Sequence, residues 1–317
     1  MKECFNNTSN TFYILAFSTS NAGGLVLFTG VLLMYLMTVT GNLLITTLIC
    51  LVPRLHTPMY FFLCNLSIVD VIYVSSILPK LLSVTLTKAK AMSFSGCIAQ
   101  TSFLVLSVVC DMLVLTAMSY DRYVAVCKPL QYHLIMNTRV CTIVAISIWL
   151  IAIINSVKYG IITSVLSFCS PQNLDHFYCD LKTLYTVTTS DTSSREILII
   201  VDDIFLAFIP FSLVLISYVY IISSIMKISS SAGRVKAFSS CTSHITTVIL
   251  FYGPAIIHYA DSEAGLSKEG DKVMSLIYMA LVPMLNPVVY TLRNKEVLGA
   301  IKKLQPATNK LMYNIFV

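Results

Sequence analysis

Apolar residues are gathered along the chain into seven long runs, at 24–50, 58–82, 94–120, 140–163, 197–226, 237–260 and 272–292. Each meets the length of about 20 residues that a helix needs to cross a bilayer. Helices are the only reading for such runs in lipid, which offers no hydrogen-bond partners to an open sheet edge. The segments between them are short except for 164–196. That stretch is long for an ordered connection and therefore reads as functional. The chain shows no soluble second domain, low-complexity tract or internal repeat. An odd number of spans also argues against a transporter made of two equal halves. The pattern predicts an all-α membrane protein, a seven-transmembrane helix bundle over 24–292 between tails at 1–23 and 293–317.

Composition agrees with burial in lipid. Only 11% of the 317 residues are charged and 56% are hydrophobic, with a mean hydropathy of +0.81; soluble domains carry about a quarter charged residues. The net charge of +6 is informative by location. With the N-terminus outside, the inner segments hold Arg54, Arg122, Lys128, Arg139, Lys227, Arg234, Lys236, Arg293, Lys295, Lys302, Lys303 and Lys310, opposed there by Asp121 and Glu296. The outer loops collect Asp175, Asp180, Asp191, Glu196, Asp261, Glu263, Glu269 and Asp271. This asymmetry obeys the positive-inside rule and speaks of topology, with no nucleic-acid partner implied. It predicts a multi-pass plasma-membrane protein with an extracellular N-terminus and a cytoplasmic C-terminus.

Six cysteines (Cys50, Cys64, Cys110, Cys127, Cys141 and Cys241) fall in spans or at their inner ends and are expected to be reduced. Cys4, Cys97, Cys169 and Cys179 fall outside, where disulfides persist. No CxxC pair suggests a zinc site. Residues 1–24 are polar and the first apolar run is longer than a signal-peptide core, so it is expected to remain as an anchor. Asn6 and Asn7 head overlapping glycosylation sequons in the outer tail; Asn65 heads a third, but inside a span.

Several polar residues interrupt the runs. Gly41 permits close helix approach and Asn42 needs a partner within the bundle. Pro58 suits the first position of a helix. Asp70 and Asp111 sit near mid-membrane, where a carboxylate is costly unless paired, protonated or bound to a cation. Two readings stand: each hydrogen-bonds within the core, or Asp70, Ser107, Asp111 and Asn286 share a sodium ion or proton. Asp202 and Asp203, side by side in the fifth run, either lie at the water level of an outer cavity or place one carboxylate on a ligand. His244 reads as a packed or hydrogen-bonded histidine. Gly253 and Pro254, and later Pro287, mark places where a helix can bend. An amphipathic stretch at 294–304 is expected to lie along the inner membrane surface. Asp121 and Arg122 stand where the third run gives out. Lipid alone would push such charges to the interface, so the pair by itself decides nothing.

The motifs LHTPMYFFLCNLSIVD (55–70), MSYDRYVAVCKPLQY (118–132), Ser217-Tyr218, KAFSSCTSHITTV (236–248) and PMLNPVVYTLRN (283–294), in this order, resemble the odorant (olfactory) receptors of the rhodopsin-like G-protein-coupled receptor family. The resemblance covers nearly the whole chain. It implies an odorant pocket in the outer half of the bundle and coupling to a stimulatory heterotrimeric G protein that raises cyclic AMP. It also implies a Cys97–Cys179 disulfide. Arg122 would be held by Asp121 at rest and released to Tyr218 and Tyr290 as the sixth span moves, with Tyr123, Asn286 and Pro287 in the same coupling machinery. Asp111 occupies a position where the family usually has Glu, which by resemblance favours the sodium site. Thr189 occupies a position where the family usually has a further loop cysteine. Cys169 is then either a free thiol or a partner of Cys4.

By the same resemblance the pocket draws on Leu104, Val105, Val108 and Val109 of the third span and Leu181 of the loop. Asp203, Leu206 and Ala207 come from the fifth, Tyr252, Ala255, Ile256 and Tyr259 from the sixth, and Met274 and Tyr278 from the seventh. Most are apolar, as suits a small volatile or lipophilic ligand held by burial, worth about 25 cal/mol per Å². No GxSxG elbow, HExxH pair or phosphate-binding glycine loop supports an enzyme, and no cofactor is expected beyond the sodium ion. A non-olfactory chemosensor on the same scaffold and, further off, an ion or proton transporter using Asp70 and Asp111 are the competing readings.

Overall fold

The computed structural model describes residues 11–168, 172–261 and 268–292, together with Val297 and Gly299. Asn6, Asn7, Cys4, Cys169 and most of the stretch at 294–304 lie outside the described residues. So do the side chains of Asp203, Ala255, Ile256 and Tyr259.

The chain forms helices α1 (Asn21–Leu51), α2 (Pro58–Thr87), α3 (Phe94–Cys127) and α4 (Thr138–Ser164). Helix α5 comprises Ser193–Asp203, a π turn Ile204–Phe208 and Ile209–Met226. Helix α6 is Ser231–Asp261, and α7 comprises Lys268–Leu276, a π turn Ile277–Leu281 and Val282–Leu292. Among the described residues six stretches are long and apolar enough to cross a membrane: Asn21–Leu51, Pro58–Thr87, Phe94–Cys127, Thr138–Ser164, Ile197–Met226 and Glu269–Tyr290. The remaining expected span, 237–260, lies within α6, whose 31 residues extend about 46 Å but carry a hydroxyl-rich segment from Ser239 to Thr247.

Local chemistry sets the helix starts. Ser20, Ser93 and Asn137 precede α1, α3 and α4, and each side chain accepts from a backbone N–H three residues on, at 3.2, 3.1 and 3.0 Å. These contacts satisfy donors that a helix start leaves orphaned. Pro58 opens α2. Two boundaries differ from the sequence reading. Helix α3 runs on through Cys127 where the apolar run ends at 120, so Asp121 and Arg122 lie inside the helix. Nothing in DRYVAVC breaks a helix; Lys128, which precedes Pro129, does. Residues 11–14, expected as tail, form β1 (Thr11–Ile14). It pairs antiparallel with β2 (Ala91–Ser93) and parallel with β3 (Gln172–Leu174) in a sheet ordered β2-β1-β3.

Helix α3 packs against α2, α4 and α5 through a face of Cys97, Gln100, Thr101, Ser107, Cys110, Asp111, Val114, Leu115 and Met118. This spacing of three and four residues keeps one stripe of a helix turned inward. Helix α1 lies close to α7: a Cβ built on Gly41 would meet Pro287 Cβ and Cγ at 3.1 Å. Beside it Asn42 Nδ2 donates to Thr38 O at 3.0 Å and to Pro283 O at 3.1 Å. The seventh-span prolines thus meet a glycine and an amide donor on α1.

Candidate functional site

Three levels of the bundle carry the polar and cavity-lining residues. At the end of the bundle that carries the long loop, Cys97 at the start of α3 and Cys179 in the 165–192 loop form a disulfide with a Cα–Cα distance of 5.5 Å. Gln100 strengthens this tie, accepting from Cys179 N and donating to Ser76 O, both at 2.8 Å. Thr101 Oγ1 donates to Cys179 O at 3.3 Å. The loop then forms a short helix, Leu181–Val187, whose first turn is capped by Asp180 Oδ1 accepting from Thr183 N at 3.2 Å. Thr189 N and Oγ1 both donate to Ser167 O, at 3.0 and 3.1 Å, so this position is bound to the loop's earlier limb by hydrogen bonds.

Buried Lys272 of α7 ties the same lid to the tail. Its Nζ donates to Ala16 O at 2.8 Å and meets Asp175 Oδ1 at 2.7 Å and Glu269 Oε1 at 3.0 Å. His176 is buried next to Phe177 and Tyr178, and its Nδ1 accepts from Phe177 N at 3.0 Å. Burial pushes the imidazole below its ordinary pKa, against the opposing pull of Asp180 and Asp271.

Below the lid lies a cavity of about 650 Å³ between α3, α4, α5 and the loop helix. Its lining includes Leu104, Val105, Val108 and Val109 of α3, Leu181 of the loop, and Leu206 and Ala207 of α5. Asp202, one of the two adjacent carboxylates between which the sequence reading left ligand contact open, also lines it. Thr101, Met112, Tyr159, Asp180, Lys182, Tyr185, Ile199 and Ile200 line it as well and were not singled out from sequence as pocket residues. Thr101 and Met112 continue the α3 stripe and could have been found by its periodicity. Tyr159 belongs to a helix whose rotation the sequence leaves open. Tyr252, Met274 and Tyr278 stand elsewhere. Tyr252 packs on Phe211 and Phe251 at ring-centroid distances of 4.6 and 5.1 Å, with its hydroxyl buried and unpartnered, and Tyr278 lies 6.0 Å from the Phe251 ring. Met274 is half-buried on α7.

At the middle level, Asp70, Ser107, Asp111 and Asn286 are all buried. Asn286 Nδ2 donates to Asp70 Oδ2 at 2.9 Å. Asp111 Oδ1, Ser107 Oγ and Asn286 Oδ1 have no hydrogen-bond partner. Among the described residues no three His, Cys, Asp or Glu side chains gather in a metal-holding group. What the level offers is two carboxylates with hydroxyl and amide oxygens, the donor set of a hard monovalent or divalent cation and not of a soft metal.

At the opposite end, fully buried Asp121 receives Arg122 on Oδ2, from Nε at 3.0 Å and Nη2 at 2.5 Å. Its other oxygen, Oδ1, accepts from the Tyr132 hydroxyl at 2.7 Å. Tyr132 is the last residue of the 118–132 motif and was assigned no role from sequence. Burial first, then the Asp121 carboxylate, raises its phenol pKa. Tyr218 is 2.5 Å from His244 Nδ1, and His244 Nε2 is 3.1 Å from Leu115 O. A carbonyl only accepts, so Nε2 carries the proton and Nδ1 accepts from the tyrosine hydroxyl. Tyr290 is buried on α7, and Pro287 lies inside the same helix about one turn earlier. Tyr123 meets the Tyr220 ring edge-on at 5.9 Å.

A bundle of apolar helices, with a lidded cavity toward one end and a buried acid–base pair toward the other, defines a multi-pass membrane protein. Comparison with known proteins names the family. The sequence model described as "Olfactory receptor" matches residues 31–307, and the chain belongs to that family. It is 46% identical over 293 residues to Olfactory receptor-like protein OLF3 of Canis lupus familiaris, covering 92% of each chain. It is 46% identical to Olfactory receptor 2F1 of Homo sapiens over the same length and coverage. Against Olfactory receptor 2A12 of Homo sapiens it is 42% identical over 290 residues, 92% of this chain and 94% of that one. The family is one of receptors and not of enzymes.

Proposed function

We propose that the chain binds a small, apolar, volatile odorant in the cavity beneath the Cys97–Cys179 lid and transmits binding to a stimulatory heterotrimeric G protein at its inner end. The observation that carries this reading is the cavity itself. Its volume falls in the range of about 300–1,000 Å³ typical of small-molecule sites, and aliphatic side chains of α3 and α5 form most of its wall. Binding shifts a two-state bundle by its differential affinity for the two states. In the resting state Asp121 retains Arg122 and His244 retains Tyr218. In the signalling state Arg122 turns toward Tyr218 and Tyr290 as α6 moves. The N-terminus faces outward and the inner face carries the basic residues.

Asp70, Ser107, Asp111 and Asn286 fit a sodium ion. Three of their oxygens are buried without partners, and two carboxylates share the level. The ion would supply the positive charge that a pair of buried carboxylates lacks. These residues hold the charge and couple α2, α3 and α7.

The test is a cyclic-nucleotide reporter assay against a broad odorant panel, with two variants at matched surface expression. Val108→Trp fills the cavity and is expected to abolish the response; Arg122→Ala is expected to uncouple it. A panel response that survives both refutes the reading. For the ion, thermal stability with and without sodium is compared in the unmodified receptor and in Asp70→Asn and Asp111→Asn. Stability indifferent to sodium removes the site.

A further inference from the structure

The cavity wall is uncharged except at three residues. Asp180 and Lys182, opposite in sign, stand at the loop helix, and Asp202 stands on α5. Ile199 lies three residues before Asp202 and Leu206 four after, and both line the cavity, so the carboxylate belongs to an apolar helix face. Its counter-ion comes from outside the lining. Lys158 of α4 is not a lining residue, yet its Nζ donates to Asp202 Oδ2 at 2.5 Å. The same ammonium lies 5.2 Å from the ring centroid of Tyr159, which does line the cavity. The two side chains are 30% and 17% exposed, so neither is freely hydrated.

We infer that the Lys158–Asp202 pair sets the chemical class of ligand: an apolar body with one neutral hydrogen-bond-donating group, such as an alcohol or phenol, to the exclusion of alkylammonium and carboxylate analogues. The inference rests on the cavity being the odorant site. Bound to Lys158, Asp202 presents the cavity with a dipole of no net charge. Its carboxylate can still accept from a ligand hydroxyl, because an ionised carboxylate has about four lone-pair sites. An ammonium ligand would lose its water to meet a carboxylate already neutralised, with the Lys158 charge a few ångströms further on. A carboxylate ligand would meet Asp202 itself. Removing one member of the pair should therefore not weaken all ligands equally. It should uncover one charge and admit the opposite one.

The experiment uses the full-length receptor in cells with the reporter, and alcohols, amines and carboxylic acids of matched skeleton as probes. In the unmodified receptor, alcohols are expected to be at least tenfold more potent than the matched amines and acids. Lys158→Met is expected to raise amine potency at least tenfold, Asp202→Asn to raise acid potency likewise, and the double variant to do neither. Should Lys158→Met fail to reach the surface, the acid arm of Asp202→Asn decides alone. An unmodified receptor as sensitive to amines as to alcohols overturns the inference, as do charge variants that leave the potency ratios unchanged. Val108→Trp separates this failure from that of the underlying reading. Alcohol responses that survive it mean the cavity is not the odorant site. Responses lost in Val108→Trp, alongside unchanged ratios in the charge variants, mean that only the pair's role is wrong.

Discussion

Replacing Tyr132 by Phe removes one hydroxyl and tests whether the inner pair is a latch. That hydroxyl donates to Asp121 Oδ1 at 2.7 Å, while Arg122 occupies Oδ2. Asp121 is fully buried, so water does not readily replace the lost donor. A hydrogen bond to a charged group is worth about 1.5–3 kcal/mol. Tyr132 is half-buried at the surface, which argues for the lower figure. If the bond exists only while Arg122 is retained, about 1.5 kcal/mol of resting-state stability is lost, and the ratio of signalling to resting receptor rises roughly tenfold. The assay is basal cyclic-nucleotide reporter output, normalised to surface receptor, for the unmodified chain and Tyr132→Phe. A clear rise in basal output is expected, with odorants acting at lower concentration. Basal output equal to or below that of the unmodified receptor at matched expression would refute the latch.

Other outcomes follow from the same geometry. Gly41→Val is expected to cost about 1–3 kcal/mol of stability, seen as a lower thermal midpoint and reduced surface expression, because the rigid Pro287 ring already stands 3.1 Å from the position of a Cβ. His176 is held neutral in the folded lid, with its pKa below the unfolded value. The unfolded chain therefore binds more protons between the two values, and stability is fully present above about pH 6.5 and falls as the pH drops toward the folded value. Thermal midpoints at pH 7.5 and 5.5 should differ for the unmodified receptor, and the difference should shrink in His176→Gln. Lys272→Met is expected to loosen the lid, since three oxygens lose a common partner. Faster hydrogen exchange at residues 11–16 and 172–178 is the readout.

The helices were legible because lipid leaves a chain little choice. Runs that cannot be solvated become spans, and Gly41 and Asn42 announced a close approach that the structure realises between α1 and α7, against Pro287 and Pro283. The α3 wall of the cavity was reached through the family resemblance, which pointed to Leu104, Val105, Val108 and Val109, all of which line it. What the sequence hid depends on rotation and on distant pairing. Neighbouring residues on a helix point about 100° apart, and the π turn at Ile204–Phe208 adds a residue to one turn of α5. Periodicity alone therefore could not choose between Asp202 and Asp203 for the wall. Lys158 finds its partner 44 residues away on another helix, with nothing local to mark it. Tyr132 lies past the helix end, and only the turn at Pro129–Gln131 brings it back beneath Asp121. The strand TFYI is too short to signal itself; both of its partners lie far along the chain.

That strand bears on how the molecule is made. Synthesis delivers β1 first, yet it is the middle strand of its sheet and must wait for residues 91–93 on one side and 172–174 on the other. The Ala16 carbonyl waits longer still, for Lys272 of the last helix, 256 residues on. This end of the bundle thus closes only after the last helix is in place. A truncated or misinserted chain leaves the backbone groups of β1 and buried residues such as Phe12 and Ile14 exposed. A few N-terminal residues would then report to the cell's folding machinery whether the far end of the chain is in place.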